Sequence, residues 1–225
     1  MYSYQIMDCC FFSSLPGPVT FIFMRHGESL GNAAGILQGR GEYSLSPEGA
    51  EQVRKKARFI AELAADFPPE NRLLFSSPQS RARESAEILV QDSFLPEPVV
   101  IDDLKEMHLG EWTGKTWADI NGGTGGAWDT FRTKSWDAVR GAETSGELFE
   151  RAIRVWGLLR DTVKVPDTLV FAVSHGGLIQ WLLKSSLGCR SWFPLFPIGN
   201  CGLFVFRAEP NRDSEAYTAW ELIDG

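Results

Sequence analysis

The sequence predicts an α/β protein, a three-layer α/β/α sandwich with a mostly parallel central sheet. Short strand-like runs alternate with segments of helical periodicity along most of the 225 residues, a pattern typical of parallel sheets with helical crossovers. The strand-like runs are also nearly all apolar instead of alternating, which indicates strands that are buried on both faces. This length suits a single compact domain.

The first strand-like run begins at Val19 and ends in Arg25-His26-Gly27. In such folds the carboxyl ends of the strands form the edge at which ligands bind. The fork of an arginine matches phosphate, and a neutral histidine is a nucleophile or base near pH 7. Glycine allows close approach of the backbone. The segment is therefore a candidate site if other strand ends supply partners.

The helices that follow have clear boundaries. Ser46 is a suitable cap and Pro47 a suitable first residue for a helix that stops at Pro68. A second helix carries the Ala82, Ala86, Leu89 and Val90 stripe, a third opens at Ser145, and a fourth follows His175. The intervening strands are predicted at 73–75, 99–101 and 168–173.

Two regions depart from this alternation. Residues 112–146 are rich in Trp and Gly, with a break at 121–126, and are predicted to form an excursion over the sheet. The runs 203–206 and 217–220 flank a turn and are predicted to form a terminal hairpin at the sheet edge.

Four strand ends carry residues with chemical function. Because the carboxyl ends of parallel strands converge on one edge, we expect these side chains to share a pocket. They are Arg25 and His26, Arg81 and Arg83, Glu106, and His175.

These residues lie in motifs that resemble those of the histidine phosphatase superfamily, which has the phosphoglycerate mutase-like fold. Arg25-His26-Gly27-Glu28-Ser29 with Asn32 resembles the family signature, and 76–82, 104–114 and 174–177 resemble its other motifs in order. The resemblance runs from about 21 to about 206. One departure is Glu42-Tyr43-Ser44-Leu45, where an Asp-x-Pro-Leu is usual.

The resemblance implies a role for each residue. His26 would be the nucleophile, with a backbone carbonyl such as that of Gly27 fixing its tautomer, and Glu106 the proton donor and acceptor. The motif also favours Arg81 over Arg83, which we expect to be a surface cation paired with Glu87. The phosphoryl group would be held by Arg25, Arg81 and a protonated His175, with Asn32, Ser29 and Gly176 as further phosphate contacts and Glu28 orienting the substrate.

The implied activity is hydrolysis of a small phosphorylated metabolite through a phosphohistidine on His26, without a metal or other cofactor. A cofactor-dependent phosphoglycerate mutase is the alternative, since Arg132 and Lys134 could hold a carboxylate. The segment 106–110 lacks the Arg and Tyr that mutases typically carry there, which favours the phosphatase. A non-catalytic relative that binds phosphorylated ligands ranks last, because every catalytic position is filled.

Composition limits the partners. A net charge of -7 and a pI near 5.1 argue against nucleic acid or an acidic membrane as a partner. The four cysteines lack disulfide or zinc spacing, which favours a cytoplasmic setting.

We expect residues 1–18 to form a poorly ordered arm before a single domain at 19–225. The oligomeric state is not predicted.

Overall fold

The computed structural model describes the backbone of residues 11–122, 127–210 and 216–223, and their side chains except at 127–130 and 216–220. Its strands form one six-stranded sheet in the order β3-β2-β4-β1-β5-β6. The strands are β1 (Val19–Arg25), β2 (Arg72–Ser76), β3 (Val99–Val100), β4 (Thr168–Ser174), β5 (Leu203–Pro210) and β6 (Ala216–Ile223). The first four are parallel, whereas β5 and β6 are antiparallel and end the sheet, so the mostly parallel sheet and the edge hairpin are confirmed.

Helices cover both faces of this sheet. The described part of the chain contains α1 (Leu30–Ala33), α2 (Pro47–Ala65), α3 (Ser80–Asp92), α4 (Trp117–Asn121), α5 (Ala127–Lys134), α6 (Ser145–Thr162) and α7 (Gly176–Ser186). Within the described ranges, none of these helices combines the length and apolar character that crossing a bilayer requires.

Alternate residues of β1 lie in two separate cores. Phe21 and Phe23 pack with Trp156 of α6 in one cluster, whereas Ile22 and Met24 pack in the other with residues of α2 and α3. Because successive side chains of a strand point to opposite faces, this division requires a helical layer on each side. The three-layer architecture expected from the sequence is therefore confirmed.

The third strand differs from its prediction. It is two residues long, and its side chains are exposed rather than buried, at 59% for Val99 and 52% for Val100. The strand pairs with β2 alone and ends the sheet. A short edge strand limits the unpaired backbone that a sheet presents to other chains.

The prediction of a poorly ordered arm is wrong for its second half. Phe11, Phe12 and Leu15 are buried in the core. The ring of Phe12 lies 5.7 Å from that of Trp156 and 5.3 Å from that of Phe206. Burial of these large apolar side chains offsets the entropy lost on ordering the segment. Residues 1–10 of the arm lie outside the described residues.

The excursion at 112–146 has a small core of its own. Trp112 is buried, and its ring centroid lies 5.1 Å from that of Phe131 and 5.6 Å from that of Trp136. Trp117 packs on the same rings. Backbone hydrogen bonds between Leu37 and residues 114–115 tie this cluster to the loop that follows β1. The break at 123–126 and the side chain of Trp128 lie outside the described residues.

Candidate active site

The carboxyl ends of β1, β2 and β4 meet at one edge of the sheet. His26 N–H donates to the carbonyl of Ser174, and Ser77 N–H donates to that of Val173, so three strand ends are joined by the backbone. The rings of His26 and His175 are 5.1 Å apart. The structure thus brings His26 and His175, predicted from separate motifs, into one pocket.

His26 is held in a defined tautomer. Its Nδ1 lies 2.6 Å from the carbonyl of Gly27, so Nδ1–H donates, as expected, and Nε2 keeps its lone pair. Burial, together with Arg81 and Arg25, holds the pKa of His26 well below its usual range, although the Gly27 hydrogen bond acts in the opposite direction. His26 is therefore neutral at pH 7, the state that a nucleophile requires.

Arg81 is the best-connected cation of the pocket. It is buried in the first turn of α3, and its Nε–H donates to Nε2 of His26 across 3.1 Å. Its two terminal nitrogens donate to the carbonyls of Gly39 and Gly41, each at 2.9 Å. These contacts use three of the five guanidinium N–H groups, which leaves two for an anion.

Arg25 is the last residue of β1. Its Nη1 donates to the carbonyl of Ile198 across 2.7 Å, and its backbone pairs with Gly202. The side chain also passes Gly176, where a Cβ atom would lie 3.5 Å from the Cδ of Arg25. The loop before β5 therefore orients this second guanidinium.

His175 differs from the sequence-based expectation. Burial, followed by Arg81, His26 and Arg25, holds the pKa of His175 well below its usual range, which favours a neutral over a protonated imidazole. Its Nε2 lies 2.8 Å from the hydroxyl of Ser77. Its Nδ1 is buried and has no hydrogen-bond partner among the described residues. A buried polar atom without a partner is costly unless a ligand satisfies it.

The carboxylate of Glu106 lies at the N-terminus of α7. Its carboxylate accepts N–H groups from Met107 at 2.8 Å, and from Gly177 and Leu178 at 3.2 Å. A Cβ atom at Gly177 would lie 2.4 Å from Oε1 of Glu106, so the carboxylate occupies space that any other residue would fill. Gly177 therefore positions Glu106, a role that the sequence analysis did not assign.

Ser29 and Asn32 form the cap of α1. The buried hydroxyl of Ser29 lies 2.8 Å from Oε1 of Gln38, and Asn32 Oδ1 accepts the backbone N–H of Ser29 at 3.2 Å. Both side chains brace the loop after β1. The expected phosphate contacts of these two residues stay predictions.

Glu28 points toward α2. Its Oε1 accepts the hydroxyl of Ser46 at 2.7 Å, and Ser46 in turn caps α2. The structure therefore ties the expected substrate-facing carboxylate to a helix cap instead of to the cations of the pocket. Substrate orientation by Glu28 stays a prediction.

Arg83, which the sequence analysis weighed against Arg81, and His108, which follows the predicted acid closely, both lie on the surface. Arg83 is exposed and pairs with Glu87 at 3.8 Å, as predicted. His108 is exposed, and its Nδ1 accepts the N–H of Gly110 at 3.0 Å, which places it at the rim.

Gln79 connects parts of the site that sequence patterns left separate. Its amide nitrogen donates to the carbonyl of Gly39 at 3.1 Å, and its oxygen accepts the N–H of Glu106 at 2.8 Å. The same residue thus holds the loop that contacts Arg81 and the backbone of the acid. Its position inside the 76–82 motif was the available signal.

Glu42, the departure from the family pattern, lies directly beside the site. Its carboxylate accepts the backbone N–H of Ser80 at 3.0 Å, at the start of α3. Burial raises the pKa of Glu42, but the hydrogen bonds from Ser80 together with the charges of Arg81 and Lys105 outweigh it and lower that pKa overall. Glu42 therefore supports the helix turn that carries Arg81.

A metal site would require several His, Cys, Asp or Glu side chains close together. Across the part of the chain that the structure describes, no group of three or more His, Cys, Asp and Glu side chains is arranged to hold a metal ion.

The chain is similar in sequence and structure to proteins of one family. The sequence model of the histidine phosphatase superfamily (branch 1) matches residues 21–220. A glucosyl-3-phosphoglycerate phosphatase of Mycolicibacterium vanbaalenii is 30% identical over 207 residues, which are 86% of this chain and 86% of the relative. A metal-independent phosphoserine phosphatase of Arabidopsis thaliana is 29% identical over 168 residues, which are 71% of this chain and 65% of that one. Among solved structures, a mycobacterial glucosyl-3-phosphoglycerate phosphatase superimposes with a TM-score of 0.74 at 27% identity and covers 92% of this chain and 98% of its own.

Proposed function

The chain belongs to the histidine phosphatase superfamily, and we propose that it hydrolyses phosphate monoesters of small metabolites through a phosphohistidine on His26. The observation that carries the proposal is the arrangement around His26. Its Nδ1–H is held by Gly27 at 2.6 Å, while its Nε2 faces the guanidinium of Arg81 at 3.1 Å. A neutral nucleophile with its lone pair directed at a phosphate-binding cation is suited to attack phosphorus.

The proposed reaction has two steps. Nε2 of His26 attacks phosphorus as the ester P–O bond breaks, and the leaving oxygen takes a proton from Glu106, which must enter this step as the protonated carboxylic acid. Glu106 then takes a proton from water, whose oxygen attacks the phosphohistidine. The P–N bond breaks, phosphate leaves, and both side chains return to their starting states.

Charge neutralisation would come from the protein itself. Arg25 and the two remaining N–H groups of Arg81 would hold phosphoryl oxygens. If Ser77 donates to Nε2 of His175, the ring proton lies on Nδ1 and can donate to a third oxygen. This role requires no charge on His175. The N-terminus of α7, at Gly176, also favours an anion.

The substrate class is proposed from the relatives. The two curated relatives described above are phosphatases of glucosyl-3-phosphoglycerate and of phosphoserine, both small polar metabolites. We extend to this chain a small phosphorylated metabolite and a reaction without metal ions. The proposal also keeps two expectations from the sequence. The cysteine pattern favours a cytoplasmic setting, and the acidic composition argues against a nucleic-acid partner.

A phosphate-release assay in the presence of EDTA tests the proposal. The panel contains sugar phosphates, phosphoglycerates, nucleotides, phosphoserine and phenyl phosphate. We expect release by the wild-type protein and none by His26→Ala. A parallel assay for isomerisation of 3-phosphoglycerate with the bisphosphate primer is expected to be negative. Equal release by His26→Ala would contradict the proposal.

A further inference from the structure

A cleft of about 720 Å³ lies beside the pocket and is not lined by any of its catalytic residues. The cleft is bounded by the loop after β1, the end of the excursion, the first turns of α6 and the segment after α7. Its lining residues include Arg40, His108, Glu143, Glu147, Glu150 and Arg190.

Arg40 connects this cleft to the reaction centre. The residue lies between Gly39 and Gly41, whose carbonyls hold Arg81. Its Nε–H donates to the main-chain carbonyl of Glu106 at 3.4 Å, and its guanidinium pairs with Glu143 at 3.3 Å. Because Glu106 is the proposed proton donor to the leaving group, the departing part of a substrate would lie near Glu106, whose backbone Arg40 contacts. The cleft therefore begins where the leaving group would extend.

The lining indicates the chemistry of what fits. Guanidinium groups and carboxylates both line the walls and pair with each other, as do Glu150 and Arg190 at 3.2 Å. Glu143 is already satisfied, since it accepts from Arg151 and from the backbone N–H of His108. Such walls present donors and acceptors side by side, with little net charge. Hydroxyl groups, which both donate and accept, match this surface better than an aryl or alkyl group, which would displace water from these charges without replacing its hydrogen bonds.

We propose that this cleft binds a hydroxyl-rich leaving group, that of a sugar or polyol phosphate, and that Arg40 and Glu150 are specificity residues. The inference rests on the proposed phosphatase function. Arg40 would contact hydroxyl groups close to the ester oxygen, and Glu150 would contact those farther along the cleft.

The test compares two kinds of substrate on the same enzyme. For the wild-type protein, Arg40→Met, Glu150→Met and the surface control Arg83→Gln, kcat/KM is measured for a panel of hexose and polyol phosphates and for phenyl phosphate. The readout is the ratio between the best panel member and phenyl phosphate. Thermal unfolding of each variant shows whether it is folded.

We expect the wild-type ratio to exceed one, and each Met variant to lower it by about tenfold or more, the loss of one charge-assisted hydrogen bond. Arg83→Gln should keep the wild-type ratio. A purely structural role of Arg40 would lower both activities together and leave the ratio unchanged, which would overturn the inference, as would a wild-type preference for phenyl phosphate. Absence of hydrolysis of every ester, phenyl phosphate included, would instead overturn the proposed function.

Discussion

The Nε–H of Arg81 donates a hydrogen bond to Nε2 of His26 across 3.1 Å, so a permanent cation contacts the ring atom that is proposed to attack phosphorus. Burial and this cation together lower the pKa of His26. When a phosphoryl group enters, its oxygens can accept the N–H group of Arg81 that His26 now accepts, which frees the lone pair on Nε2 of His26. One residue thus keeps the nucleophile neutral and then neutralises the substrate.

This relationship predicts that Arg81→Lys is severely impaired. Lysine lacks the fork that reaches the carbonyls of Gly39 and Gly41 and the ring of His26 at once. We expect kcat/KM to fall by about 10²–10³-fold, as for loss of one preorganised donor. Arg83→Lys, two residues away in an exposed ion pair, is the matched control and should change kcat/KM little. Comparable losses in both variants would contradict the assignment.

Gly177→Ala should reduce acid–base catalysis by Glu106 without unfolding the protein. The new Cβ would lie 2.4 Å from Oε1 of Glu106 and would displace that carboxylate. We expect kcat to fall by about 10²-fold, the lower end for lost acid–base catalysis. Gly176→Ala is the comparison, because its Cβ would meet Arg25 at an ordinary 3.5 Å, and it should lose less activity. The opposite order in steady-state kinetics would refute this role of Gly177.

The two buried histidines predict a dependence of stability on pH. Both have pKa values well below the usual range, so below about pH 6.5 the unfolded chain binds more protons than the folded one. The free energy of unfolding should therefore fall as the pH drops from 7 to 5, by up to about 1.4 kcal/mol per pH unit for each histidine. Urea denaturation measures it. His175→Gln should show a shallower slope, and an unchanged slope would count against a neutral buried His175.

Phe12 should contribute strongly to stability although it precedes the first strand. Its ring is buried against Trp156 and Phe206. We expect Phe12→Ala to cost about 3–5 kcal/mol, as for other buried aromatic side chains. Phe94, which is 77% exposed, provides the control, and Phe94→Ala should cost little. Equal effects in denaturant titrations would restore the picture of a poorly ordered arm.

The sequence predicted best what depends on local pattern. The apolar runs of β1 and β4 and the Ser46 cap of α2 have strong local signals, and the strand ends at Arg25 and His175 follow from them. Arg81 and Glu106 do not end a strand and were proposed from their motifs, and the catalytic roles of all five groups (two guanidiniums, two imidazoles and one carboxylate) stay predictions.

What the sequence missed depends on contacts between distant segments. The hydrogen bond between Ser46 and the carboxylate of Glu28 joins residues 18 positions apart, and no local pattern indicates it. The protonation state of His175 depends on burial and on Arg81, neither of which is visible in its motif. The burial of Phe11 and Phe12 required α6 to be in place.

The most direct test of the account is detection of the phosphohistidine. The wild-type protein and His26→Ala are each mixed with an ester that the wild-type protein hydrolyses. The mixtures are quenched in alkali, where phosphohistidine is stable and acyl phosphate is not, and are then digested for mass spectrometry. With phenyl phosphate, whose leaving group depends less on protonation, Glu106→Gln should slow the release to water more than the first step and increase the yield. We predict phosphate on the peptide that contains His26, absent in His26→Ala. Turnover with no phosphate on His26 in either the wild-type protein or Glu106→Gln would contradict the central claim.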